Sequence, residues 1–139
     1  MKKLLMIIFY AMLVACSPGV GIDELAAKMS NNDRTFVVRT PATSNSVSNA
    51  IAVRMIKTSG SPSASNLINV LSVDNANIGI AGNSQMINKA TVFYALQNAQ
   101  KIGNNIVLYM MGDSESDKAD LEKATKSKNI KFYYFVTTK

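Results

Sequence analysis

The chain has no histidine, no tryptophan and a single cysteine among its 139 residues. Without histidine, neither a Ser-His-Asp nor a Cys-His apparatus can be assembled from it, and zinc sites with imidazole ligands are excluded as well. One cysteine cannot close a disulfide within the chain, so stability in an oxidising compartment has to come from a packed core. Carboxylates are scarce too, nine against 15 Lys and Arg, for a formal charge of +6. The Walker lysine and the full Gly-x-Gly-x-x-Gly are missing, so no nucleotide fingerprint is present, and no motif asks for a metal or another cofactor.

Apolar residues are what the chain does have: 47% of it, for a mean hydropathy of +0.08, with the excess concentrated at the front. Lys2 and Lys3 precede an apolar run from Leu4 to Met12, and Leu13-Val14-Ala15-Cys16 closes it with small residues. That is the layout of a secretory signal peptide over residues 1–15. The run is shorter than the ~20 residues a bilayer-spanning helix needs, so it reads as a targeting segment. Two other readings of the leader stand beside this one: an ordinary secreted protein cut near Ala15, and an uncleaved anchor.

The ending Leu13-Val14-Ala15-Cys16 resembles the lipobox of bacterial lipoproteins. The resemblance implies cleavage before Cys16, lipidation of Cys16 with several acyl chains including palmitate, and a place in the cell envelope. By the sorting rule of Gram-negative enteric lipoproteins, Ser17 rather than Asp after the cysteine implies the outer membrane. Several chains, each burying many methylenes at ~0.8 kcal/mol apiece, hold a protein that one chain would not. Residues 16–21, Cys16 followed by Ser17-Pro18-Gly19-Val20-Gly21, then read as lipid site and short tether.

Removal of Lys2 and Lys3 leaves 13 Lys and Arg against nine acids. The cations are scattered, which argues against nucleic acid as a partner. The expected partners are the membrane, through the lipid on Cys16, and a protein of the envelope. The locally positive tail from Lys123 to Lys139 reads as a solvated helix end followed by a strand.

Residues 22–139 have the length of one domain. A helix is expected over Ile22–Met29, a strand over Arg34–Arg39, and a helix from Ser44 on which Val47, Ala50, Ile51, Arg54, Met55 and Ile56, spaced by three and four, define one apolar face. Leu67 to Val73 is ambiguous between a short helix and a strand turning through Asp74–Asn77, and the strand is preferred. The expectations beyond it are a strand at Ile78–Ala81, a helix over Met86–Ile102 ended by Gly103, and a central strand at Ile106–Met111. A hydrophilic helix over Glu115–Lys128 and a last strand at Ile130–Val136 complete the pattern. Strands alternating with helices predict an α/β fold: a three-layer α/β/α domain with a mainly parallel sheet of four to five strands.

Two units echo each other. Ile78-Gly79-Ile80-Ala81 leads to Gly82-Asn83-Ser84 and a helix, and Leu108-Tyr109-Met110-Met111 leads to Gly112-Asp113-Ser114 and a helix. Ligands of open α/β sheets bind beyond the carboxyl ends of the strands, so Gly82, Asn83, Ser84, Gly112, Asp113 and Ser114 form a possible ligand loop, with the hydroxyl-rich Thr40–Ser46 beside it. A glycine followed by a capping serine is equally what any strand-to-helix turn wants, with Ser114 and Asp117 as a capping-box pair.

Five of the nine acids lie between Asp113 and Glu122, but Lys118 and Ala124 stand where an EF-hand requires Gly and Glu. This run reads as a solvated face paired with lysines such as Lys126. Phe132, Tyr133, Tyr134 and Phe135 read as core on one face, or as an exposed edge open to a partner strand.

The stretch from Ala90 to Phe135 is similar to small DsrE-type sulfur-relay domains, through Ala95-Leu-Gln-Asn-Ala-Gln-Lys-Ile-Gly103 and the strand ending Met111-Gly112-Asp113. Sulfur relay needs a reactive cysteine and this stretch has none, so the resemblance implies fold only. The resulting expectation is a lipid-anchored envelope protein without catalytic residues, acting by protein contacts. It would be accessory to a secretion, pilus or conjugation apparatus, or an exclusion or immunity factor. The alternative is a periplasmic small-ligand binder, or a carboxylate-using hydrolase with Asp113 as its acid.

Overall fold

β-Rich and helix-forming runs alternate in the computed structural model, which describes Leu25, Met29, residues 34–42 and residues 45–136. The order is β1 (Thr35–Arg39), α1 (Ser46–Ser59), α2 (Pro62–Leu71), β2 (Asn77–Ala81), α3 (Gln85–Asn98), β3 (Val107–Gly112), α4 (Glu115–Lys126) and β4 (Lys131–Val136). The leader, Cys16 and the tether lie outside the described residues, as does most of the helix expected over Ile22–Met29. Among the described residues no helix is long and apolar enough to cross a membrane.

The four strands form one parallel sheet in the order β1-β2-β3-β4. Consecutive parallel strands joined by crossovers of one hand place the intervening helices on one face. That face carries Val38, Ile78, Ile80, Leu108 and Met110, and on it pack Leu67 and Leu71 of α2, Val92, Ala95 and Leu96 of α3, and Leu121 of α4. The opposite face carries Val37, Ala81, Val107, Tyr109, Met111 and Phe135, against which Leu25 and Met29 are buried. The domain is thus an α/β fold with helices on one face of the sheet and the buried side chains of Leu25 and Met29 on the other.

The β1-to-β2 crossover contains two helices, and only α2 reaches the sheet. α1 is displaced outward onto α3, where Val53 and Ile56 meet Ile87, Ala90 and Tyr94. α3 is therefore buried on two sides, towards the sheet and towards α1.

Four expectations need correction. Leu67–Val73 is helical: the Ser61 hydroxyl accepts from the Ala64 amide at 3.0 Å, Pro62 opens the helix, and Leu67 and Leu71, four apart, are both fully buried. The Asp74–Asn77 stretch makes no hairpin; it ties the loop before β3, the Asn104 amide donating to Asp74 Oδ1 at 2.8 Å and the Asn75 amide to the Asn104 carbonyl at 2.7 Å. α3 ends at Asn98, and Gly103 beyond it donates to the Leu71 carbonyl at 2.8 Å, joining the end of α2 instead of terminating α3. The fourth concerns the aromatic run of β4, which strand alternation divides. Phe132 and Tyr134 point to the helical face, while Tyr133 and Phe135 stack with Tyr109 on the other, at centroid distances of 5.2 and 6.5 Å.

Candidate functional site

The carboxyl ends of β2 and β3 lie side by side, because their register pairs Ile80 with Met110. Gly82-Asn83-Ser84 and Gly112-Asp113-Ser114 therefore leave the sheet as neighbours, and the echo in sequence is an echo in structure. Ser84 caps α3 by accepting from the Ile87 amide, and Ser114 caps α4 by accepting from the Asp117 amide, each at 3.3 Å. The hydroxyl-rich loop after β1 joins them at Thr40, which is buried and donates its amide to the Ala81 carbonyl at 2.9 Å. Thr43 and Ser44 lie outside the described residues, and Asn45 caps α1 by accepting from Val47 and Ser48 amides at 2.9 and 3.3 Å.

Immediately around the two glycines the space is taken by the chain's own side chains. The Thr40 hydroxyl donates to Asn88 Oδ1, and Asn88 Nδ2 donates to the Gly82 carbonyl at 3.1 Å. A Cβ on Gly82 would collide with Thr40 Oγ1 and Asn88 Oδ1, and a Cβ on Gly112 would collide with the Tyr134 hydroxyl. The glycines are needed because these polar side chains lie against the backbone. Asn83 and Asp113 are exposed, and Ser84 and Ser114 are half-buried.

Tyr134 is the unforeseen member of this cluster. Its hydroxyl accepts from the Ser114 amide at 3.4 Å. Burial pushes its phenol above the ordinary value, the Ser114 hydrogen bond opposes that, and the charges of Asp117, Asp113 and Glu115 push it further up. Tyr134 is therefore a neutral phenol wherever the protein is folded at ordinary pH. Beside it, Gln85 Oε1 is buried without a partner among the described atoms, 2.7 Å from where a Gly112 side chain would begin.

Cavities of about 600 Å³ lie elsewhere. One is a groove between α1, α3 and α4, floored by Val53, Ala90, Phe93 and Tyr94 with Lys57 and Met86 at its margins. On its α4 wall the capping-box expectation fails by half. The Asp117 carboxylate does not fold back on its own helix; it accepts from Lys89 Nζ of α3 at 2.8 Å, and Asp120 accepts from the same ammonium at 3.1 Å. The hydrogen bond to Asp117 is the main reason that the Lys89 pKa is raised, with burial opposing and Asp120 adding. The second cavity, at the amino end of the strands, is lined by Asn104, Asn105, Lys128, Asn129 and Lys131. Neither includes a residue of the Gly82 or Gly112 loops. Among the described residues, no three carboxylates or cysteines gather where a metal could be held.

Of the apolar face expected on α1, Ile56 alone is buried and the rest is turned outward. Val47, Ile51 and Met55 of α1 are 66%, 55% and 63% exposed, and Met86 of α3 is 57% exposed. The burial of α1 falls on Val53 and Ile56. The spacing of four was visible in the sequence, but it marks a shared face without saying what that face meets. On the sheet's edge strand β4, Tyr133 and Val136 are also exposed, and Lys131 Nζ sits 5.5 Å from the Tyr133 ring centroid.

No protein family, curated protein or solved structure matches the chain when it is compared with them. The resemblances to lipoprotein leaders and to sulfur-relay domains therefore rest on the residues quoted for them.

Proposed function

We propose that the chain is a lipid-anchored envelope protein, held to the outer membrane through acylated Cys16, which acts by contact with another protein. The classes that fit are an accessory part of a secretion, pilus or conjugation apparatus, and an exclusion or immunity factor. The observation that carries the contact reading is the edge strand β4: it offers an exposed Tyr133, backed by stacked Tyr109, with Lys131 over its ring and Val136 exposed beyond. An aromatic side chain with a rigid apolar body and a polar tip, on the outermost strand among the described residues, is the kind of element that anchors protein interfaces. The lipobox-like Cys16 supports the anchor. The filling of the Gly82 and Gly112 loops by Thr40, Asn88 and Tyr134 weighs against the small-ligand alternative.

Two measurements test this. Intact-mass analysis of the membrane-extracted protein is expected to show acyl groups on Cys16, and Cys16→Ala is expected to lose both the acyl mass and the membrane fractionation; unchanged fractionation would remove the anchor from the proposal. A photoreactive p-benzoylphenylalanine placed at Tyr133 is expected to crosslink one envelope protein in cells, and Tyr133→Ala, folded by circular dichroism, to lose that partner on copurification. Crosslinking no greater than at the exposed Lys101 would remove β4 as the contact.

A further inference from the structure

The outward face of α1 takes part in none of the contacts above. Val47, Ile51 and Met55 recur every four residues on the side of the helix away from Val53 and Ile56. Because α1 packs on α3 and not on the sheet, this stripe is a ridge standing on the helical layer. Its charge has one sign. Arg54 and Lys57, both exposed, are the charged residues of α1, and from Arg34 to Val73 the sequence holds four cations and no carboxylate. At 100° per residue Arg54 falls about 20° from Val47 on the helix circumference, and Lys57 about 60° beyond Arg54. The carboxylates across the adjoining groove, Asp117 and Asp120, are held by Lys89.

We propose that this face docks on an anionic lipid bilayer, with Val47, Ile51 and Met55 entering the boundary between headgroups and acyl chains while Arg54 and Lys57 meet the lipid phosphates. A protruding apolar stripe bordered by cations is the arrangement an interfacial helix uses: the apolar side chains leave water, and the cations gain from the negative surface potential. A second copy of the chain is the poorer occupant. Two α1 ridges laid together would oppose Arg54 and Lys57 to their own kind, with no carboxylate on either helix. Three apolar side chains and two cations give weak attachment alone, so the contact orients a domain that something else keeps near the membrane. It does not require the acyl group on Cys16, and its test is made without that group.

The test uses the full chain with Cys16→Ser and a single introduced cysteine, Met55→Cys on the ridge or Lys123→Cys on the exposed face of α4, labelled with nitrobenzoxadiazole. Both labelled chains are mixed with vesicles of phosphatidylglycerol and phosphatidylcholine, and with vesicles of phosphatidylcholine alone. In the anionic vesicles the label at 55 is expected to shift to the blue and to be quenched by brominated acyl chains, and the label at 123 to stay in water. Adding Arg54→Gln and Lys57→Gln is expected to raise the lipid concentration for half-maximal signal by about thirtyfold. A label at 55 that stays aqueous on vesicles that have bound the chain would overturn the proposal, and so would an equal response to phosphatidylcholine alone. A shift that grows with protein concentration in the absence of lipid would give the ridge to a second copy. A shift produced by a delipidated envelope-protein extract would give it to a protein partner, and each of these also overturns the proposal.

Discussion

The hydroxyl of Tyr134, from the last strand, occupies the place where a side chain on Gly112, at the end of the neighbouring strand, would begin. Gly112→Ala is therefore expected to destabilise the protein by about 1–3 kcal/mol, the usual range for forcing a methyl into a filled site. Tyr134→Phe, which removes only the hydroxyl and its long bond to Ser114, should cost about 1 kcal/mol. With Phe at 134 the alanine at 112 should cost less than it does with Tyr. Urea unfolding of the two single variants and the double variant measures this coupling, and strict additivity would show that the two groups do not compete for the space.

The phenol of Tyr134 is raised above its ordinary value by burial. In the folded state the neutral form is thus favoured over tyrosinate more than in the unfolded chain. Its contribution is fully present below the unfolded value of 10.0 and is lost as pH rises through the higher folded value. Tyr134→Phe should accordingly flatten part of the alkaline loss of stability, and the tyrosinate absorbance titration should lose a component above the ordinary phenol value with it.

Lys89 bridges α3 to Asp117 and Asp120 of α4, and its pKa is raised chiefly by the hydrogen bond to Asp117. The groups are partly solvated, with side-chain exposures of 28%, 24% and 60%, so Lys89→Met should cost no more than about 1 kcal/mol at neutral pH. A raised lysine stabilises below its unfolded value of 10.5 and ceases to do so as pH passes the folded value. The gap between wild type and Lys89→Met should hold from pH 7 to about pH 10 and close above that. Denaturation midpoints across this range check it, and a gap that persists beyond the lysine range would point to packing of the aliphatic stem over Phe93, whose ring centroid lies 5.8 Å from Nζ.

On α1 the two apolar faces should respond oppositely to truncation. Ile56→Ala removes a side chain 5% exposed and should cost about 2–4 kcal/mol, whereas Ile51→Ala, at 55% exposed, should change stability by less than about 0.5 kcal/mol. Thermal unfolding of the pair distinguishes the observed orientation of the helix from the one that its periodicity suggests.

Gln85→Met deletes a buried oxygen that lacks a partner and keeps the shape of the side chain. Removing an unsatisfied acceptor should leave stability equal or raise it by about 1 kcal/mol. A loss of more than that in urea unfolding would mean that the oxygen is bonded in solution.

The chain's local chemistry determined the kinds and order of its elements. Serines followed three residues on by an amide in need of an acceptor fixed the starts of α3 and α4, and an unbroken apolar run fixed the central strand β3, which is covered on both faces. These are contacts within a turn or along one strand, and they are readable because both partners lie in one short segment. The α/β class, the parallel sheet and the pairing of the Gly82 and Gly112 loops followed from that order. What the tertiary structure alone decided was which of two possible faces each element presents. Leu67 and Leu71 became a buried helix because the β1-to-β2 crossover needed a helix on the sheet, and α1, displaced from it, turned Val47, Ile51 and Met55 to the outside. The partner of Gly112 is 22 residues away at Tyr134, and that of Asp117 is 28 residues away at Lys89. Periodicity tells which residues share a face; what covers that face depends on the packing of distant segments, and there the sequence by itself is silent.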